Sequence, residues 1–187
     1  MYVNLDRVHT YLDWLKTKIF LDNNAANASR RIVVRGNVYR CFLGRGIGSE
    51  EEKERPCVVL QRYEGNIKSP NTIVAPITHT SSIIDIVIPI NTLYNQDGSI
   101  LLDGNVLLGN ITTVSKARLG DYIATLSPTE MKLVDKAMAK SLDIWKNFVT
   151  LENIIKDKDV YIGKLIEQRE NLQRQINEMI NSKQEDE

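Results

Sequence analysis

The chain has 187 residues, with 24 basic and 24 acidic side chains, no formal net charge and 42% hydrophobic residues. These proportions describe a folded globular chain and exclude collagen-like, disordered and disulfide-scaffold classes. Zero net charge removes any global attraction to nucleic acid, so a nucleic-acid footprint has to be local.

The strongest apolar stretch, residues 83–90, is broken by Asp85 and Pro89. It falls far short of the ~20 apolar residues of a membrane span, so no membrane partner is expected. The first residues carry acids and lack a basic leader, which argues against a signal peptide. Two cysteines, Cys41 and Cys57, lie in strand-like runs and read as reduced, buried thiols of a cytoplasmic protein. His9 and His79 belong to no cluster with metal-ligand spacing, so neither a metal nor a cofactor is expected.

Residues 1–31 read as a helical extension followed by a linker. Leu5, Val8, Leu12, Leu15 and Ile19 recur at steps of three and four, which is one helix face. The polar stretch 22–29 ends it. Residues 32–144 form the next unit and change period. The runs 32–34, 38–42, 57–61, 72–77, 83–90, 106–114 and 122–125 are short and rich in Val, Ile, Thr and Tyr. Gly44-Arg45-Gly46, Glu64-Gly65-Asn66, Ser69-Pro70-Asn71, Asp97-Gly98-Ser99 and Asp103-Gly104-Asn105 separate them, as in a small barrel or sandwich. Pro76 and Pro89 fall inside apparent strands, where proline belongs at an end, an edge or a bulge. Ser127-Pro128-Thr129-Glu130 has the form of a capping box with proline at the first helical position. The helix it starts carries Leu133, Val134, Ala137, Met138, Ser141, Leu142 and Trp145 on its packing face.

From residue 145 to 187 the pattern becomes heptad-like. Phe148, Ile155, Ile162, Arg169 and Ile176 share one core position; Leu151, Lys158, Leu165, Leu172 and Met179 share the other. Eight of these ten are apolar, which argues either a coiled-coil arm or a long helix lying back on the protein. Gly163 is the weak point of that helix.

One region carries chemistry. It reads RGNVY at 35–39, GSE at 48–50, RPCVVLQ at 55–61 and GNIKSPNTIVAPIT at 65–78, with LSPTEMKLVDKA at 126–137 and KARLG at 116–120. This ordered set resembles the MazF/PemK family of toxin endoribonucleases over roughly residues 32–144. The resemblance implies an α+β, mainly β fold: an SH3-like small barrel with a C-terminal packing helix. It also implies a homodimer that cuts single-stranded RNA at a short sequence without a metal. The products would carry a 2′,3′-cyclic phosphate and a 5′-hydroxyl, and a cognate antitoxin would block the RNA groove. The implied catalytic set is Arg55, Thr78 and Ser49. The implied RNA-binding set is Gly48, Glu50, Gln61, Lys68, His79, Thr80 and Asn110.

The chemistry suits so small a set. RNA supplies its own nucleophile, the 2′-hydroxyl, and the protein has to orient it and stabilise a dianionic phosphorane. A guanidinium offers forked donors to phosphate oxygens, and a threonine hydroxyl adds another. With a pKa above ~12, arginine is a poor base, so the proton acceptor is a separate question, with Glu50 and His79 as candidates. Arg35, Tyr39, Arg40, Arg45, Arg62, Tyr63 and Lys68 interleave charge and rings as single-strand binders do.

The segment departs from the family pattern at Asn37, Gly109, Asn110 and Thr112, the last three where the usual LLEQIRTID reads LLGNITTVS. A missing cation there weakens phosphate attraction or changes base choice. A second reading is therefore a non-catalytic RNA- or protein-binding module that oligomerises through its C-terminal helix.

Overall fold

The computed structural model describes residues 4–79 and 83–185. It divides into two compact units, residues 1–142 and 143–187.

In the first unit, α1 (Leu5–Asn23) starts at Asn4, whose side-chain oxygen accepts from Asp6 N at 2.9 Å. The polar stretch read as a linker is helical at its centre, as α2 (Ala25–Ala28). Three alanines and an asparagine, with little to bury, still form one turn because Asn24 and Ala25 carbonyls accept from Ala28 and Ser29. The apolar stripe of α1 does not face the sheet: Leu12, Leu15 and Ile19 are 51%, 49% and 55% exposed. Tyr11 and Trp14 of α1 reach β1 and the loop after it. Tyr11 Oη donates to Gly46 O at 3.3 Å, and the Trp14 ring lies against Gly44 and beneath the Arg118 guanidinium.

The strands are β1 (Asn37–Gly44), β2 (Lys53–Val59), β3 (Asn71–Thr78), β4 (Val87–Pro89), β5 (Leu93–Tyr94), β6 (Ile100–Leu102), β7 (Asn105–Leu107), β8 (Thr112–Ser115) and β9 (Leu119–Thr125). A short helix, α3 (Tyr63–Lys68), joins β2 to β3. Seven strands make one antiparallel sheet in the order β4-β7-β3-β2-β1-β9, with β8 also on β3; β5 and β6 form a hairpin. β3 has two partners on one edge: β8 along residues 71–74 and β7 along residues 77–78. Pro76 falls between those two ladders. Its missing N–H therefore breaks no pairing, which explains a buried proline inside a strand. Pro89 ends an edge strand, as expected.

Three strand readings change. Residues 32–34 form no strand; Val33 alone is buried there. The run 83–90 shrinks to β4. The run 106–114 splits into β7 and β8 at a turn closed by Asn110 N to Leu107 O. In each case hydrophobicity was continuous while the ladder partner was not.

Both sheet faces are covered, so β2 and β3 read as continuous apolar runs rather than alternating ones. On one face Val38, Val58, Leu60, Ala75, Ile77 and Val106 pack under α4 (Pro128–Ser141) with Val134 and Ala137. On the other, Val33, Tyr39, Cys41, Cys57, Val59, Val74, Val114 and Leu119 form a second cluster. Cys41 and Cys57 are buried free thiols, as expected, and hydrogen bonding between them, with burial, pushes the Cys57 thiol up. The expected capping box is present: Ser127 Oγ accepts from Glu130 N, and Glu130 accepts from Ser127 N. On the expected packing face, however, Leu133 and Leu142 are exposed; the buried line runs through Val134 and Ala137.

The second unit is one helix, α5 (Trp145–Glu185), of 41 residues. Its heptad residues Phe148, Leu151, Ile155, Ile162, Leu165, Leu172, Ile176 and Met179 are all exposed.

Candidate active site

Arg55 lies near the start of β2 and Thr78 at the end of β3. The ladder between them pairs Cys57 with Pro76 and Val59 with Val74. Continued by two residues each way, that register sets Arg55 opposite Thr78 and on the same sheet face. This is the face of Cys57, Val59 and Val74, so the two polar residues extend the second hydrophobic cluster to its rim. Thr78 is buried and also pairs with Asn105 of β7. Gly104, at φ +112°, lies so close that a Cβ there would be 2.6 Å from Thr78 O. Both contacts come from residues 104–105, which hold the backbone at Thr78 along one edge of β3.

The loop from Arg45 to Glu52 forms the adjoining wall. A concave groove of about 460 Å³ is lined by Arg45, Glu50, Glu51, Asn110, Thr112 and Arg118, among others. It joins the β1–β2 loop to the turn between β7 and β8. Gly109, Asn110 and Thr112, the positions that depart from the family pattern, all line it. Arg118 donates to Phe42 O at 3.1 Å and Leu43 O at 2.9 Å, which anchors its cation beside the groove. Arg45 is paired with Glu52 at 3.2 Å.

Arg55 itself is paired with Glu51, whose Oε2 lies 3.4 Å from Arg55 Nε. That Nε is buried and has no hydrogen-bond acceptor, while the side chain as a whole is 41% exposed. The guanidinium is held by charge on its inner edge. Among the described residues its two terminal nitrogens make no hydrogen bond or ion pair.

The other expected site residues divide. Gly48 and Ser49 are exposed in the loop, and Gly48 takes φ +63° with open space around it. Glu50 lines the groove but turns one carboxylate oxygen to its own loop, accepting from Ile47 N at 2.9 Å. His79 is exposed beside Thr78 and pairs with Asp103 at 2.7 Å. Thr80 lies outside the described residues. Gln61 and Lys68 sit at the opposite end of β2 and β3, about 20 Å of strand from Arg55. There Gln61 donates to Asn71 O at 3.4 Å, and Asn66 and buried Lys116 tie α3 to the sheet. The structure therefore places Glu50 and Asn110 in one groove, joins Arg55 to it through Glu51, and leaves Gln61 and Lys68 apart from it.

Several expected surface contacts are structural. Arg35 donates to Leu60 O and pairs with Asp135. Tyr39 is in the core, beneath the Arg31 guanidinium. Asn37 accepts from Thr125 Oγ1 at 2.9 Å and so pins β1 to β9. Glu51 and Arg118 were not singled out from sequence. Glu51 is hidden in the acidic run 50–54, and its nearness to Arg55 depends on how the hairpin turns. Lys53, at φ +70°, begins β2 after that turn.

Residues 34–142 match the family described as PemK-like, MazF-like toxin of type II toxin-antitoxin system. The chain belongs to that family. It is 37% identical over 111 residues to endoribonuclease EndoA of Bacillus subtilis (strain 168), covering 59% of this chain and 95% of that protein. Its fold is similar to a mycobacterial endoribonuclease solved in complex with its cognate antitoxin, with TM-score 0.51, 27% identity, and coverage of 60% and 96% of the two chains. It is also similar to MazF from Deinococcus radiodurans, with TM-score 0.53, 15% identity, and coverage of 60% and 98%. The first neighbour is close enough in sequence to bear on more than fold. The second supports the mainly β, α+β fold. α1 and α5 lie outside the matched segment.

Proposed function

We infer that this chain is an endoribonuclease, the toxin of a toxin–antitoxin pair, and that it cuts single-stranded RNA as a homodimer. The observation that carries this reading is the register of β2 and β3, which, continued, sets Arg55 opposite Thr78 inside the family-matching segment. The RNA 2′-hydroxyl attacks the adjacent phosphorus, so no metal-bound water is required. Arg55 binds the non-bridging oxygens through its terminal nitrogens, where charge builds in the transition state. The Thr78 hydroxyl adds a donor, and Ser49 joins from the loop when RNA draws it inward. Glu50, His79, Thr80 and Asn110, with Gly48 allowing close approach, contact splayed bases and set the sequence that is cut. Gln61 and Lys68 act at the far end, supporting α3 or trailing RNA. Among the described residues no helix is long and apolar enough to cross a membrane. The reading puts the protein in the cytoplasm with its RNA and its antitoxin.

Residues 32–144 form the catalytic domain, and residues 1–31 and 145–187 are additions to it. We read the second addition as a coiled-coil arm that joins two copies. Isoleucine at the first core position and leucine at the second favour two parallel strands.

The test incubates purified protein and Arg55→Ala with a long mixed-sequence RNA in EDTA and maps the new 5′ ends. Discrete cuts by the parent, lost by at least ~100-fold in Arg55→Ala, are expected. An inert, folded parent would remove the enzyme reading and leave the binding module.

A further inference from the structure

We propose that Glu51 is the proton acceptor for the RNA 2′-hydroxyl, resting on the endoribonuclease reading above. The reaction needs an acceptor, and each residue first considered for it already has a partner of its own. Glu50 accepts from Ile47 N within its loop, at 2.9 Å. His79 is exposed and paired with Asp103 at 2.7 Å. Arginine keeps its proton, and the Thr78 hydroxyl is too weak a base.

Glu51 differs in three respects. It lines the groove of about 460 Å³. Oε2 lies 3.4 Å from Arg55 Nε, the inner edge of the guanidinium. Among the described residues no N–H or O–H donates to it, and Arg55 Nε itself forms no hydrogen bond with it. Its lone pairs are therefore available. The side chain is only 18% exposed, so water does not crowd it. A phosphate held by the outer nitrogens of Arg55 would stand one guanidinium width from this carboxylate. The 2′-hydroxyl on the same nucleotide lies within that reach.

The step balances without a further reagent. The 2′-hydroxyl gives its proton to Glu51 as the 2′-oxygen bonds to phosphorus. The bond from phosphorus to the 5′-oxygen breaks, and that oxygen takes a proton from water. The products are a 2′,3′-cyclic phosphate and a 5′-hydroxyl. Later loss of the proton from Glu51 to solvent restores the carboxylate. The charged groups around it are Arg55 from β2, Glu50 and Arg45 from the loop, and Arg118 after β8; the buried Cys57 thiol stays neutral.

The test compares full-length parent, Glu51→Gln and Glu51→Asp on an RNA oligonucleotide carrying the sequence the parent cuts. A 2′-deoxy version at the cut nucleotide measures binding alone. Glu51→Gln should lower kcat by ~100-fold or more with KM and 2′-deoxy affinity within about threefold. It should also flatten the acid limb of the kcat profile, and Glu51→Asp should retain that limb at a reduced rate. Far-ultraviolet circular dichroism checks that each variant is folded. A Glu51→Gln protein that cuts as fast as the parent, or faster with tighter binding, would overturn the proposal and make Glu51 a competitor for the phosphate site. A slow variant that keeps the acid limb would also overturn it and leave a purely positioning role. An inert parent would instead bring down the endoribonuclease reading, and this proposal with it.

Discussion

Glu130 illustrates how one residue can serve both a helix and a loop. Its carboxylate caps α4 through Ser127 N and Oγ, and also accepts from Asn91 N at 2.8 Å in the segment between β4 and β5. Burial alone would raise its pKa, but the hydrogen bonds from Ser127 and Asn91 outweigh burial and hold it below the ordinary glutamate value. Its contribution to stability is therefore complete above the unfolded-state pKa of ~4.3 and is withdrawn as pH falls through the lower folded-state value. Glu130→Gln should lose about 1 kcal/mol at pH 7 in urea unfolding. The gap between variant and parent should narrow as acid protonates the parent. The capping box was legible in Ser127 and Glu130 because both ends of it are local. The bond to Asn91 was not, since it joins residues 39 apart. The same holds at the candidate site. Arg55 and Thr78 could be named from their motifs, but Glu51 gained its place only once the hairpin set it beside Arg55.

At the scale of elements, close backbone approach controls the site. Gly104 abuts Thr78 O and has a positive φ, so Gly104→Ala meets both a clash and strain. We expect a loss of about 1–3 kcal/mol and a fall in cleavage rate, read by thermal melting and by the RNA assay. α1 acts on the opposite wall. Tyr11 and Trp14 brace Gly46 and Gly44 at the base of the loop that carries Ser49, Glu50 and Glu51. Trp14→Ala should therefore speed amide exchange in residues 45–52 while leaving β2 and β3 protected. In α5, nothing lies within 4 Å of a Cβ built on Gly163. That position falls just outside the heptad seam, so Gly163→Ala should add about 1 kcal/mol of helix stability per chain and raise the melting temperature. Destabilisation instead would put Gly163 at a close helix contact.

For the molecule as a whole, the family segment is flanked by two helices whose apolar stripes are exposed in the single chain. α1 presents Leu5, Leu12, Leu15 and Ile19; α5 presents its heptad over about 60 Å of helix. An arm that joins two copies through α5 predicts a specific loss. Ile155→Asp with Ile162→Asp should lower helicity and shift sedimentation toward smaller species, without the large activity loss of Arg55→Ala. Unchanged sedimentation and helicity would remove the coiled-coil reading. Composition, local period and ordered motifs determined the strand-rich class, the α4 start and the long C-terminal helix, and they singled out Arg55 and Thr78 as candidates. Those signals lie within a few residues of one another or in a family's fixed spacing. Tertiary structure decided which runs became strands, where Pro76 is tolerated, which face of α1 meets the sheet and which carboxylate stands beside Arg55. The first three depend on a partner distant in sequence, because a backbone ladder or a packed face exists only when a second segment arrives to complete it; the carboxylate beside Arg55 is four residues away, and the course of the β1–β2 loop selects it from its neighbours.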